Sequence, residues 1–170
     1  MGDVYFYHLT REPVEVTLPA LLAKARNAGW RVVVRGTSED RLDWLDEKLW
    51  LGEGFLPHGR AGGPHDADQP ILLTSKPDSP NAAHCLMAID AAPVAADEIA
   101  SHDRTCILFD GNDTNALEAA RTQWRDLTAA GCAAQYWSQV SGRWQKQAEA
   151  SAVASTRRYE RSARFRQRTK

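Results

Sequence analysis

Residues 17–36, TLPALLAKARNAGWRVVVRG, join a helical pattern to an apolar strand pattern through a glycine. Leu18 and Leu22 recur at the spacing of one helix face, and Thr17 is expected to cap the start of the helix. Gly29 is typical of the turn that ends a helix. The valines that follow are continuous rather than alternating, as in a strand buried on both faces of a sheet. This unit predicts an α/β fold with parallel strands.

The segments next to this unit continue the alternation of strands and helices. VYFYHL (residues 4–9) is a β-rich run before it, and Ser38 is expected to cap a second helix after it. Apolar runs at residues 70–75, 84–90 and 105–111 are strand patterns, and we expect the first two to form an antiparallel edge. Right-handed crossovers place helices on both faces of a parallel sheet. The prediction is a three-layer, Rossmann-like, mostly parallel sheet with helices on both faces.

The last part of the chain is predicted to contain a helix, a hairpin and a tail. The helix runs from about residue 115 to 130, and Ser141–Gly142 is the expected hairpin turn after it. From about residue 149 the composition changes to Ala, Ser, Thr and Arg, which is typical of a disordered or loosely helical segment. We therefore expect one domain at residues 1–148 and a basic, disordered tail at residues 149–170.

The bulk composition excludes several classes of protein. With 43% hydrophobic and 25% charged residues, the 170-residue chain falls in the ordinary globular range. Its three cysteines, at positions 85, 106 and 132, are too few and too far apart for a disulfide framework. No apolar run approaches the roughly 20 residues that span a bilayer. We expect a cytoplasmic protein without a membrane partner.

Nucleotide-binding motifs are missing from this α/β pattern. The first predicted strand is followed by Thr-Arg-Glu-Pro instead of G-x-G-x-x-G, and the chain contains no G-x-x-x-x-G-K-[ST]. A Rossmann-like sheet can exist without its usual ligand. We predict no cofactor.

Two groups of polar residues are candidate sites of chemistry. His58 and His65 share a loop with acidic residues, but a plain polar loop explains them better than a metal, so no metal is predicted. Asp103, Asp110 and Asp113 are expected to cluster near a strand end, where α/β active sites lie. Turn formation and helix capping explain these acids without catalysis. A small hydrolase-like enzyme using these acids or the His58 region is the alternative function.

The predicted last helix carries an unusual stripe opposite its small apolar residues. The stripe contains Leu117, Arg121, Trp124 and Arg125 at helical spacing. It is either a solvated face, with the arginines paired to acids such as Glu118, or an anion-receiving patch with an aromatic wall.

A second candidate surface follows the second helix. Trp50 closes that helix, and Phe55, Leu56 and Pro57 follow in a glycine-rich loop. The loop either plugs the end of the sheet or presents a partner-binding surface, since exposed aromatic residues rimmed by polar ones mark interfaces.

Residues 41–62, RLDWLDEKLWLGEGFLPHGRAG, resemble the chi subunit of bacterial DNA polymerase III. In that family a helix of the form Leu-Asp-x-x-Leu-Trp is followed by a Phe-x-Pro-His loop with small residues after it. The surroundings agree, because an FYHL strand precedes the motif and PILLT follows it. The resemblance covers about residues 3–147, and the helix-plus-loop motif is its most specific part.

The resemblance implies a non-catalytic accessory subunit of the clamp-loader assembly that acts in DNA replication. Chi has a Rossmann-like fold that binds no nucleotide. It links the clamp loader to single-stranded-DNA-binding protein by gripping the acidic C-terminal tail of that protein, which ends in phenylalanine. It also joins the psi subunit, which tethers it to the clamp loader.

The residues of these two family sites can be placed by position. The site for the acidic tail maps to Arg121, Trp124 and Arg125, and a further lysine of the family falls on Leu117. Residues 151–170, with seven basic residues and one acidic residue, lie beyond the shared region. They are either a solvated terminus or a weak, nonspecific contact for single-stranded DNA. The contact with psi maps to Trp50, Phe55, Leu56 and Pro57.

Overall fold

A central β-sheet with helices on both faces forms the core of the computed structural model, which describes residues 2–153. This architecture confirms the predicted mostly parallel α/β fold. In chain order the elements are β1 (Asp3–Leu9), α1 (Val14–Asn27), β2 (Val32–Arg35), α2 (Glu39–Leu51), β3 (Gly59–Arg60), a 3₁₀ turn (Asp66–Asp68), β4 (Ile71–Thr74), β5 (Cys85–Ala88), α3 (Ala96–Ser101), β6 (Arg104–Asp110), α4 (Thr114–Ala129), β7 (Ala134–Ser138) and β8 (Gln145–Ala150).

The strands lie in the order β3-β4-β2-β5-β6-β1-β7-β8. Neighbouring strands are parallel except β7 and β8, which form an antiparallel hairpin. The predicted antiparallel edge of residues 70–75 and 84–90 is wrong, because β4 and β5 flank β2 and both run parallel to it. Both strands are buried along their whole length, which suits interior positions in a covered sheet.

Two apolar cores lie on opposite faces of the sheet. Leu22 of α1 and Leu45 of α2 are buried against Val34 on one face. Ile99 of α3 and Leu127 of α4 are buried on the other face. Because β1 and β6 are neighbours and the helices that follow them leave on opposite faces, a crevice opens at their carboxyl ends.

Most of the predicted helix ends are confirmed. Ser38 and Asp113 accept backbone N–H hydrogen bonds at the starts of α2 and α4, at 3.4 and 2.9 Å. Gly29 ends α1 with a φ of 78°, a conformation that glycine adopts without strain. The predicted start of α1 is wrong. The helix begins at Val14, after a proline with extended backbone, and Thr17 is buried inside it.

The predicted hairpin turn is also confirmed, since Gly142 lies between β7 and β8 with a φ of 86°. Strand β8 continues through Ala150, so the first two residues assigned to the tail belong to the sheet. Residues 154–170 lie outside the described residues, and their character stays a prediction. Within residues 2–153, no helix is long and apolar enough to cross a membrane.

Candidate functional site

A cleft of about 550 Å³ lies between α4 and the β7–β8 hairpin, and we call it the α4 pocket. Its lining is mostly apolar, and the two guanidinium groups on it belong to exposed side chains of α4. A concave, apolar site with a few polar groups is the usual form of a binding site for a small ligand or an anchoring side chain. The side chains that form it include Phe109, Leu117, Arg121, Trp124, Arg125 and Tyr136.

The predicted orientation of α4 is partly wrong. Leu117 and Trp124 were placed opposite the packing side, but both are half-buried against the same core as Ala120 and Leu127. The Trp124 ring packs edge-on against Phe6, with 5.3 Å between the ring centroids. An indole ring offers far more apolar area than the alanines do, so its contact with the core widens the buried side of the helix. Trp124 is therefore a wall of the pocket rather than a free surface residue.

The floor of the pocket contains a hydrogen-bonded aromatic cluster that the sequence did not reveal. Tyr136 Oη lies 2.7 Å from His8 Nδ1, and the His8 ring stacks on Phe109 with 5.0 Å between centroids. Burial lowers the pKa of His8, although the nearby backbone of Gly111 opposes the shift. A neutral imidazole can accept a hydrogen bond from the hydroxyl group of Tyr136 at Nδ1. Burial also raises the pKa of Tyr136, so the phenol stays protonated.

Gly111 is needed for this cluster to form. A Cβ atom at position 111 would lie 1.9 Å from His8 Nε2, which is a severe clash. The Asp-Gly-Asn-Asp turn at this position is thus partly explained by the packing of His8.

Two arginines of α4 carry the positive charge of the pocket. Arg121 Nη1 lies 2.7 Å from Glu118 Oε1, and both side chains are about 60% exposed. Arg125 Nη2 donates only a long hydrogen bond, of 3.4 Å, to the hydroxyl of Thr122. In the part of the chain that the structure describes, Arg125 has no carboxylate within salt-bridge distance. An exposed pair between neighbouring helix turns is weak, so both guanidinium groups can bind an external anion.

The second surface, which we call the α2-loop patch, consists of Trp50, Leu51 and Phe55 with Leu56 and Pro57 beside them. Trp50 is 53% exposed, Leu51 80% and Phe55 79%. The rings of Trp50 and Phe55 contact each other, with 6.3 Å between centroids. The loop therefore presents these side chains instead of plugging the sheet with them. Leu51 was missed, although it lies roughly opposite Leu49 on the helix and so outside the buried stripe.

A buried histidine holds this loop in place. His58 Nδ1 lies 2.6 Å from the carbonyl oxygen of Leu56, and Nε2 lies 3.0 Å from Asp46 Oδ1. Its ring also packs on Trp50, with 4.3 Å between centroids. His65 is exposed and lies 4.0 Å from Asp68. Among the described residues, no three metal-ligating side chains come together.

The predicted acidic cluster is wrong for one of its members. Asp103 precedes β6 and Asp110 ends it, so they lie at opposite ends of the strand, about 23 Å apart at the rise of an extended chain. Asp110 Oδ1 accepts from Asn112 N at 2.8 Å, and Asp113 caps α4. Turn formation and capping thus account for the two acids that are close in space.

The crevice at the carboxyl ends of β1 and β6, of about 560 Å³, is where ligands of open α/β sheets usually bind. Five carboxylates and two guanidinium groups line it. Arg41, one of those two, is paired to Asp90 at 3.1 Å. An acidic lining of this kind repels a phosphate, in agreement with the missing nucleotide motifs.

These features define a Rossmann-like α/β domain without a nucleotide-binding motif, with an apolar pocket and an exposed apolar patch on different elements. Residues 1–135 match the family model described as DNA polymerase III chi subunit, HolC, and the chain belongs to that family. The matched region includes the α2-loop patch and all of α4, and it ends just before Tyr136.

A similar curated protein is the probable DNA polymerase III subunit chi of Rickettsia prowazekii (strain Madrid E). The two sequences are 29% identical over 97 residues, which are 56% of this chain and 59% of that protein. The match thus spans less than two thirds of the length of this relative.

Proposed function

We propose that this chain is a non-catalytic adaptor of the DNA polymerase III assembly that binds the acidic C-terminal tail of single-stranded-DNA-binding protein in the α4 pocket. The observation that carries the proposal is an apolar pocket with an aromatic wall and two exposed arginines. Family membership supports a role in replication, and the pocket supports a ligand that has one aromatic group beside negative charges.

The apolar part of the pocket suits a terminal phenylalanine. Trp124 and Tyr136 stand nearly perpendicular, with 6.1 Å between ring centroids, so that a third ring can contact both. Burying a phenylalanine side chain contributes about 1.5–3 kcal/mol. The half-buried side chain of Leu117 adds apolar area at the position where the family has a lysine.

The charged part of the pocket suits the acids and the terminal carboxylate of the tail. Arg125 is free to form a bidentate contact with a carboxylate. Exposed ion pairs are each worth about 1 kcal/mol or less, so the apolar anchor supplies a large share of a total of about −8 kcal/mol at micromolar affinity.

The α2-loop patch is proposed to bind the psi subunit. Three large side chains exposed next to each other, Trp50, Leu51 and Phe55, are typical of a protein interface and are costly to leave in water. His58 and Leu56 fix the loop from below, so the patch is preformed. A partner would therefore bind it without first ordering the loop.

Titration calorimetry with a synthetic tail peptide tests the pocket. We expect removal of the terminal phenylalanine to weaken binding about tenfold or more, because the anchor is lost. We expect Arg125→Ala to weaken it about threefold to fivefold and Arg121→Ala somewhat less, because Glu118 already offsets its charge. Lys48→Ala on α2 removes the same charge elsewhere and is the matched control. If neither peptide truncation nor Arg125→Ala weakens binding threefold, the pocket is not the tail site.

Co-purification read by mass spectrometry tests the patch. The wild-type chain is expected to retain psi and other clamp-loader subunits, and Phe55→Asp is expected to lose them because a charge is placed at the centre of an apolar contact. Arg125→Ala should retain them. Equal recovery of these subunits by Phe55→Asp and wild type would indicate that psi binds a surface other than the α2-loop patch.

A further inference from the structure

A continuous row of aromatic side chains crosses the sheet on the face opposite α4, and we call it the aromatic strip. The guanidinium group of Arg104 lies between two of the rings, 5.3 Å from Trp30 and 4.5 Å from Tyr5. Tyr5 is followed by Tyr7 at 6.5 Å, and Tyr7 by Trp144 at 5.2 Å between centroids. Trp137 lies level with Tyr7 on the neighbouring strand.

The strip is half-exposed because the helices of this face cover only part of the sheet. α1 and α2 pack mainly over β2, β3, β4 and β6, so β7 and β8 lie at the border of the layer that these helices form. All five rings of the strip and Arg104 keep intermediate exposure to solvent. A groove of about 320 Å³ runs between α1 and the hairpin, lined by Tyr7, Trp30, Trp137 and Trp144. That volume is sufficient for a flat aromatic ring to enter between the side chains.

Positive charge lies along the strip. Lys24 of α1 lines the groove and is exposed, and Arg104 stands among the rings. Lys146 lies beside Trp137 in the register of the hairpin and pairs with Glu149. Asp3, an acidic residue, lies beside Arg104 in the register of β1 and β6.

The last residue that the structure describes lies at one end of the strip. Val153 N donates to the carbonyl oxygen of Gly131 at 3.3 Å, at the end of the sheet where Arg104 and Tyr5 lie. The chain continues from there into residues 154–170, which carry seven basic residues and one acidic residue. A segment with this charge is a poor match for a groove lined by Lys24 and Arg104.

We propose that the aromatic strip binds single-stranded nucleic acid, with bases stacked on its rings and the phosphate backbone held by Lys24 and Arg104. Aromatic rings on a sheet, interleaved with cations, recognise unpaired bases because every base has a flat face that can stack. An acidic peptide would match the charge but would leave the rings unused. The proposal does not depend on the α4 pocket, and Trp137 and Trp144 lie outside the region that matches the family model.

Fluorescence anisotropy with a labelled oligothymidine of about 16 nucleotides, a length that covers one binding site of this type, tests the strip on the full chain at low salt. Three of the six tryptophans belong to the strip, so quenching of tryptophan fluorescence gives a second signal. We expect Trp144→Leu and Tyr5→Leu each to weaken binding about fivefold or more, because stacking on one ring is lost. Trp144→Phe and Tyr5→Phe keep a ring and should stay within about twofold of wild type.

Trp50→Leu on the α2-loop patch is the matched control for the loss of an indole, and circular dichroism checks the fold of each variant. No binding at low salt would overturn the proposal, and so would equal affinity of the Leu and Phe variants, since binding would then belong to the basic C-terminal residues. A Leu variant that weakens only the acidic tail peptide would also overturn it and assign the strip to a peptide. Failure of the peptide in the α4 pocket leaves the outcome with oligothymidine unaffected.

Discussion

The α4 pocket and the α2-loop patch each use a tryptophan, but the two tryptophans differ in what they contribute to the folded state. Trp124 is half-buried against Phe6 and Tyr136, so it supports the core and shapes the pocket. Trp50 is more than half exposed and contacts mainly its own loop. A preformed concave site can bind one anchoring side chain, whereas a protruding patch gains affinity only when a partner covers a large area.

The largest effect that separates the two surfaces is on stability. Trp124→Ala is expected to lower the free energy of unfolding by about 3 kcal/mol, because it removes an aromatic ring that packs on the core. Phe55→Ser should change it by less than about 0.5 kcal/mol, because that side chain lies in solvent. Urea unfolding followed by circular dichroism measures both.

Trp124→Phe serves as the control for the first variant, because it keeps an aromatic ring at the edge-on contact with Phe6. It should recover more than half of the lost stability. Similar losses for Trp124→Ala and Phe55→Ser would contradict the difference in burial.

The next effect is on the salt dependence of peptide binding. Raising the salt concentration from about 0.05 to 0.5 M is expected to weaken binding of the tail peptide about fivefold, because the exposed arginine contacts are screened. Arg125→Ala should flatten this dependence. Calorimetry at each salt concentration measures it, and a salt-independent affinity of the wild-type chain would assign the binding to apolar contacts alone.

The comparison also indicates what the sequence could reveal. Apolar and aromatic runs identified β1, β2, β4, β5 and β6, and Ser38 and Asp113 identified helix starts, because burial and capping are local signals. The placement of β4 and β5 around β2 depends on long-range pairing, which local patterns do not contain. For the same reason Asp103 was grouped with Asp110, although a whole strand separates them.

The candidate sites show the same limit. The positions of Arg121, Trp124 and Arg125 on one helix could be predicted, but the contacts of Trp124 with Phe6 and Tyr136 come from other strands. The pairing of Tyr136 with His8 joins residues 128 positions apart. The exposure of Phe55 could not be decided from the sequence, because either a plug or a patch satisfies its pattern.

A smaller effect concerns the protonation of His8 under the α4 pocket. Burial holds its pKa below the ordinary 6.5, so the unfolded chain binds a proton there more readily than the folded chain does. The stability that the neutral His8 contributes to the folded state is complete above pH 6.5. It is lost as the pH falls from 6.5 through the pKa of His8 in the folded state. NMR titration of the imidazole protons should give a midpoint below 6.5, and His8→Gln should reduce the loss of stability on acidification. A midpoint at or above 6.5 would contradict the buried, neutral imidazole.

The smallest expected effect is the change in peptide affinity when Arg121 loses its ion-pair partner Glu118. It tests whether this pair holds Arg121 ready for the ligand. Glu118→Gln removes the carboxylate 2.7 Å from that guanidinium group. The charge of Arg121 is then no longer offset by this pair, and a negative charge next to an acidic ligand is also removed. An exposed i,i+3 pair is worth about 0.2–0.5 kcal/mol, so we expect affinity for the tail peptide to rise about twofold and stability to fall slightly. The double variant Glu118→Gln/Arg121→Ala should lose this gain, because the freed guanidinium group is its source. If Glu118→Gln instead weakens binding, Glu118 holds Arg121 in its binding orientation, and the pair is a fixed part of the site.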